Sequence, residues 1–302
     1  MTVCLGATEA LASSLAGVCQ RGDRVVIPQP FHEMYPAQVG ILGLEPVYVN
    51  LVEEVEGGEW GLDRQAWEQA AIGARVLVLN TPHNPTGKVF TEDDLYWLAD
   101  LACRQDLLVI TDEIYEHIVF GACRHVSLAG LPGMSSRTLV VNSISKTGNA
   151  TGWRVGWVIA PAALMSTIRA FHDTMVIQAP TPLQMAAVAL LEFGPDDRLR
   201  GSDTKKRDVL VAALRRVGFG VTVPEGAYYV FARYRDVPAL RTKAPMEAAR
   251  YLVERIGVAS VPGDNFYRNG SDGDAYLRFA FCRSLRTLGD AAERLSRLGD
   301  GR

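Results

Sequence analysis

Residues 138–157 read TLVVNSISKTGNATGWRVGW. Their first five positions are a largely β-branched apolar run, the composition of a strand buried on both faces of a parallel sheet. Polar groups follow at once: Ser143, Lys146 and Arg154. A lysine just past such a strand projects its amine from the carboxyl edge of the sheet, where open α/β sheets bind ligands. Desolvated there, the amine loses its proton more readily and can attack a carbonyl. With a hydroxyl on one side and a guanidinium on the other, the spacing suits an aldehyde that also carries a phosphate. Taken alone, the lysine and arginine read equally as a solvated turn.

Working outward, the same alternation of strand and helix runs from Met1 to about Pro161. RVVIP (24–28), EPVYVNL (45–51), ARVLVLN (74–80), DLLVITD (106–112) and GWVIAP (156–161) are short apolar runs, separated by helical patterns such as EDDLYWLADLACRQ (92–105). That order predicts an α/β domain with a mostly parallel central sheet flanked by helices. Long helical patterns follow at 162–176 and 181–193, then a charged one at 196–218 that reads as a bridging helix with a solvated face. Beyond Gly218, strands at YYVFARY (228–234), GVASVP (257–262) and AYLRFAF (275–281) interleave with helices at 245–256 and 285–298. The expected division is a large α/β domain over 1–200 and a smaller α+β domain over 201–302.

Composition narrows the function classes. With 302 residues, 48% of them hydrophobic, the chain can bury a large core. Its formal charge of −3 comes from 31 basic and 34 acidic residues, with no basic patch interleaved with aromatics, so nucleic acid is not an expected partner. No apolar run is long enough to span a bilayer. The five cysteines form no CxxC pair, and reduced thiols in a cytoplasmic protein are the expectation. The opening TVCLGATEAL lacks the charged start and cleavage site of a secretory signal. It reads instead as a strand running straight into a glycine turn and a helix, as though the chain began mid-domain.

Four further segments carry chemistry. Gly6, Ala7 and Thr8 open the first helix, where free N–H groups and the helix dipole favour an anion and small residues allow its close approach. NTPHNPTGKVF places Asn80 and Asn84 at a strand end in a proline-rich loop, positioned to donate to a phenolic oxygen and a carboxylate, or equally to serve as turn asparagines. TDEIYEH puts Asp112 at another strand end with Tyr115 a helical turn beyond; a buried carboxylate needs a cation, and a protonated pyridine nitrogen is one. Asp112, Glu113, Glu116 and His117 also suggest a metal site, but adjacent residues diverge on a strand or helix, so no metal is expected. Arg278 alternates away from Leu277 and Phe279 on a short strand and must find an anion, a substrate carboxylate or a structural ion pair. His32, after RVVI, has a flat ring that can stack on an aromatic or simply pack in its loop. The SxxK and KTG matches at Ser143–Lys146 and Lys146–Gly148 share one lysine and follow a strand, unlike the separated serine-hydrolase motifs.

In order, GATEAL, NTPHNPTGKVF, TDEIYEH, SISKTGNATGWRVGW and YLRFAF resemble the class I/II aminotransferases, the fold type I enzymes that use pyridoxal 5′-phosphate, from Met1 to the carboxyl terminus. NTPHNPTGKVF is similar to the kynurenine and methionine aminotransferase branch. The resemblance implies that Lys146 forms the Schiff base, Asp112 keeps the pyridine nitrogen protonated, and Tyr115 and Asn84 bond the phenolic oxygen. Gly6, Ala7, Thr8, Ser143 and Arg154 would take the phosphate, and Arg278, assisted by Asn84, the substrate carboxylate. The ring-stacking aromatic of the family falls on His32, a departure. The implied reaction moves an amino group from an α-amino acid to a 2-oxo acid, in a homodimer. A lyase or cyclase, or a silent ligand-binding domain, are the alternatives on the same fold. Family members also carry a segment ahead of the position of Met1 that covers the substrate; without it, weak cofactor binding and little turnover are expected.

Overall fold

Every apolar run of the first half becomes a strand of one sheet in a computed structural model, which describes residues 1–53, 58–192, 194 and 197–299. Along the chain these are β1 (Thr2–Cys4), β2 (Arg24–Gln29), β3 (Glu45–Glu53), β4 (Trp60–Leu62), β5 (Val76–Asn80), β6 (Leu108–Asp112), β7 (Thr138–Ser143) and β8 (Gly156–Ile159). They lie in the order β1-β8-β7-β6-β5-β2-β3-β4. The central strands β3, β2, β5, β6 and β7 are parallel, whereas β4, β8 and β1 each join their neighbour antiparallel. The sheet is an α/β sheet with antiparallel margins, as the alternating runs implied.

Successive residues of a strand face opposite sides, so one run can feed two cores. On β2, Val25 and Ile27 pack with Leu11 and Leu15 of α1 (Gly6–Val18) and with Val39 of α2 (Met34–Ile41). Val26 turns the other way, joining Trp67 of α3 (Arg64–Ala71) and Leu95 and Leu98 of α4 (Glu92–Arg104). The caps of α4 explain its boundaries. Thr91 and Asp94 form a capping box, acidic residues fill the first turn, and Arg104 stands in the last. The helices α2 and α3, of eight residues each, and the three-residue strand β4 add to the elements expected from the sequence.

The second half begins with α5 (Ala162–Met175), α6 (Thr181–Glu192) and α7 (Asp197–Arg216). A second sheet, ordered β11-β12-β10-β9, contains β9 (Gly220–Val221), β10 (Tyr229–Arg233), β11 (Val261–Pro262) and β12 (Tyr276–Ala280), with α8 (Pro245–Tyr251) and α9 (Leu285–Ser296) between and after them. All its pairings are antiparallel. Of the expected strand at 257–262 only Val261–Pro262 pairs. A separate core, including Leu214, Val230, Leu252, Phe279 and Leu288, fills this part.

Candidate functional site

Parallel pairing puts the ends of β5, β6 and β7 side by side: Asn80 lies opposite Asp112, and Asp112 opposite Val141. Reversal of β8 adds two more segments to the same edge. Its first residue, Gly156, pairs with Ser143 at the end of β7 and with Cys4 at the end of β1, bringing Arg154 beside the start of α1. A cavity of about 230 Å³ opens there, lined by Ala7, Thr8, His32, Asn84, Asp112, Tyr115, Ser143, Lys146, Arg154 and Arg278. Every side chain that the family resemblance assigns to cofactor or substrate lines it, whereas Asn80, Glu113, Glu116 and His117 do not. Gly6 contributes backbone just behind it.

The corner where Arg154 meets the start of α1 is built by close approach. Leu5 precedes α1 as its N-cap and has no oxygen to satisfy the first-turn N–H groups, which are left for an external acceptor. Gly6 has φ +77°, and a Cβ there would overlap the Arg154 guanidinium. Arg154 itself is left-handed at φ 54°, a conformation that costs a non-glycine residue about 1–3 kcal/mol and is found where the surroundings enforce it. Its guanidinium donates to the Thr151 carbonyl at 3.0 Å and to the Leu5 carbonyl at 3.3 Å. Gly156 was missed in the sequence. A Cβ on it would come within 2.6–2.8 Å of the Gly6 carbonyl carbon, the Ala7 nitrogen and the Asn142 oxygen. Only a glycine lets the three chain segments meet, and the repeated glycine-tryptophan spacing of 152–157 was the available signal.

Lys146 faces this corner. Burial lowers its pKa from 10.5, and Arg154 and Arg278 add to the lowering, while Cys282 and Asp112 oppose it. The amine lies 5.8 Å from the Tyr228 ring centroid. At the far end, Asp112 is 1% exposed, and its Oδ2 accepts a 2.8 Å hydrogen bond from Tyr35. Burial raises the Asp112 pKa, opposed by the Tyr35 bond and by the charge of His32. Such a carboxylate calls for a cation. Tyr115 sits in a turn after β6 rather than in a helix, with its hydroxyl 3.3 Å from that of Tyr229. Asn84 accepts from Arg278 Nη1 at 2.8 Å, which leaves the Asn84 amide nitrogen to donate. Its own N–H is held by Asn80 Oδ1 at 2.8 Å, and Asn80 donates to the Asp112 carbonyl at 2.9 Å.

Arg278 lies between two aromatic faces, 4.4 Å from the Tyr229 centroid and 4.7 Å from that of Phe266. No carboxylate pairs with it among the described residues, so the structural ion-pair reading of its strand does not hold there. His32 meets Tyr35 edge-on at 5.7 Å, and its bond to Glu33 holds that carboxyl down, at about 2. Asp112 parts from the acids that follow it, but Glu113 and Glu116 stay close to one another. Asp112 turns to Tyr35, while Glu113 accepts from His125 at 3.0 Å and Ser127 at 2.9 Å. Glu113, Glu116 and His125 do bring ligand atoms within 4.8 Å of one another, with Glu116 bonded to Asn142 at 2.6 Å.

The donor set fits a phosphorylated pyridine aldehyde. At one end, the Arg154 guanidinium packs on Gly6 too closely for a Cβ, beside the N–H groups of the first helical turn; at the other stands a buried carboxyl with no salt bridge among the described residues, and an amine with a lowered pKa lines the same cavity. A second cavity of about 870 Å³ adjoins the first across Lys146, Tyr229 and Arg278.

The family model described as aminotransferase class I and II matches residues 1–295. The chain is 36% identical over 311 residues to a probable N-succinyldiaminopimelate aminotransferase of Mycobacterium tuberculosis, covering 99% of this chain and 77% of the relative. It is 32% identical over 324 residues to human kynurenine–oxoglutarate transaminase 1, covering 97% and 76%. The solved structure of the M. tuberculosis N-succinyldiaminopimelate aminotransferase superposes with a TM-score of 0.91 at 37% identity, covering 98% of this chain and 77% of that one.

Proposed function

The chain belongs to the class I and II aminotransferases, pyridoxal-phosphate-dependent enzymes that transfer an amino group from an α-amino acid to a 2-oxo acid, and from that premise we propose that the cavity around Lys146 is its active site. The observation that carries the assignment is convergence: Lys146, Asp112, Arg154 and Arg278, from four separate segments, line one cavity. When bound, the cofactor supplies an aldehyde that exchanges amines and a ring that delocalises the charge left on a substrate carbon when it loses a proton.

The geometry supports a role for each residue. Arg154, Ser143 and the first-turn N–H groups at Gly6, Ala7 and Thr8 would hold the phosphate. Asp112 would keep a proton on the ring nitrogen, and the Tyr35 bond aims its carboxyl and favours the ionised form against the burial that opposes it. Tyr115 and Asn84 orient the phenolic oxygen. Lys146 would be the nucleophile toward the cofactor aldehyde and the base that moves the substrate α-proton; its lowered pKa makes the neutral amine more accessible. Arg278 takes the substrate carboxylate in its fork, with Tyr229 and Phe266 excluding water from both faces. His32 offers its ring edge or face to the cofactor ring.

The finer organisation is part of the same reading. A division near residue 200 is supported by the second sheet and by the core that fills it. A homodimer is supported by exposed apolar residues at the end of α5 and along α6: Met175, Ile177, Met185, Val188 and Leu191. A cytoplasmic location is supported by five free cysteines. The test is to incubate the purified protein with pyridoxal phosphate, an amino acid pool and 2-oxoglutarate. Glutamate and a new keto acid support the reading; an eliminated or cyclised product, or a spectral change without turnover, would replace it.

A further inference from the structure

We propose that Glu9 and His172 form a buried brace that positions the phosphate-binding turn at the start of α1, an inference that rests on the phosphate placement above. Glu9 is the fourth residue of α1, and its carboxylate folds back over the first turn. Oε2 accepts the Leu5 N–H at 3.0 Å; Oε1 accepts the Ser13 hydroxyl and is 3.2 Å from His172 Nδ1 on α5. The two side chains are 13% and 5% exposed. A carboxylate only accepts, so Nδ1 of His172 carries the proton of this contact.

Two consequences follow. Leu5 is fixed from both sides, since its N–H donates to Glu9 while its carbonyl accepts from Arg154 at 3.3 Å. The residue that leads into the anion-binding turn therefore cannot rotate without breaking one bond or the other. Glu9 is also an anion one turn from the site, able to compete for the free N–H groups or for Arg154. Ser13 and His172 occupy the oxygen that Leu5 leaves, and so hold the carboxylate away from the donors a phosphate needs. Cys4, the third group facing the pair, stays a thiol, because burial and the Glu9 charge raise its pKa.

A positioning residue and a mere neighbouring charge predict opposite signs. Removing a nearby negative charge strengthens phosphate binding, whereas removing the brace weakens it. The test compares affinities of cofactor-free protein for pyridoxal phosphate, pyridoxal and inorganic phosphate, in the parent chain and in Glu9→Ala, His172→Phe and His172→Gln. About a tenfold loss for pyridoxal phosphate is expected in the first two variants, the size of one charge-assisted hydrogen bond, with pyridoxal unchanged. His172→Gln keeps an N–H donor and should recover most of the loss. Inorganic phosphate, read by thermal shift, should follow pyridoxal phosphate. Stronger phosphate binding in Glu9→Ala, parallel losses for pyridoxal, or His172→Gln as weak as His172→Phe would overturn the brace. A parent chain that binds phosphate but not pyridoxal phosphate would instead remove the cofactor assignment, leaving the brace to be judged on phosphate alone.

Discussion

The Tyr35 hydroxyl donates to Asp112 Oδ2 at 2.8 Å across 77 positions of sequence, and both side chains are buried. This bond lowers the Asp112 pKa against the burial that raises it. Tyr35→Phe removes the donor and leaves a buried carboxylate oxygen unsatisfied. Turnover should fall about tenfold or more, the range of a hydrogen bond to a charged group. Steady-state kinetics alongside a cofactor titration checks this; unchanged kcat would remove Tyr35 from the site.

Asp112 predicts a trade between stability and function. Its folded pKa is raised, so the native state binds the proton more tightly than the unfolded chain does. Its contribution is therefore most favourable at low pH and is lost as pH rises through the folded value. In cofactor-free protein at neutral pH, Asp112→Asn should raise the melting temperature. The same variant should lower turnover by about 10²–10³, as for loss of one preorganised charge partner. Thermal unfolding across pH and single-turnover kinetics read the two effects separately.

Lys146 should become reactive at a lower pH than an exposed lysine. Because burial lowers its pKa from 10.5, half-maximal labelling by an amine-specific reagent in the cofactor-free protein should come below that value, with Lys146→Ala giving the background. Borohydride reduction of the cofactor-bound protein should fix the pyridoxyl group on the peptide containing Lys146. Labelling at or above the free-lysine midpoint contradicts the desolvated environment.

Arg278 binds through its fork as well as its charge. Arg278→Lys retains the cation but loses the bidentate geometry and the Asn84 contact. A KM increase of about 10–100-fold is expected, with a smaller change in kcat. An equal fall in kcat at constant KM would place Arg278 in the chemical step instead.

Gly156→Ala tests the junction of three segments. The added methyl meets backbone of Gly6, Ala7 and Asn142, none of which can rotate away as a side chain would. A loss of about 1–3 kcal/mol of stability is expected from such overpacking, together with weaker phosphate binding. Chemical denaturation and a cofactor titration measure both; a neutral substitution would mean that the junction is looser than its distances indicate.

The fold and most of the residues that line the cavity were legible from local patterns. Strand runs, helix periodicity and the lysine, aspartate, asparagine and arginine at strand ends are encoded within a few residues of one another, and β-branched runs bounded by turn residues leave little choice of structure. Partnerships are another matter. Tyr35 with Asp112, Glu9 with His172, and Gly156 against Gly6 and Asn142 join residues far apart in sequence, and no periodicity records them. Parallel pairing of β5, β6 and β7 and the reversal of β8 bring those segments to one edge. Only after that packing do burial and proximity act on Lys146 and Asp112, shifting their pKa values in opposite directions and each toward its neutral form, a shift that a nearby cation would reverse for Asp112.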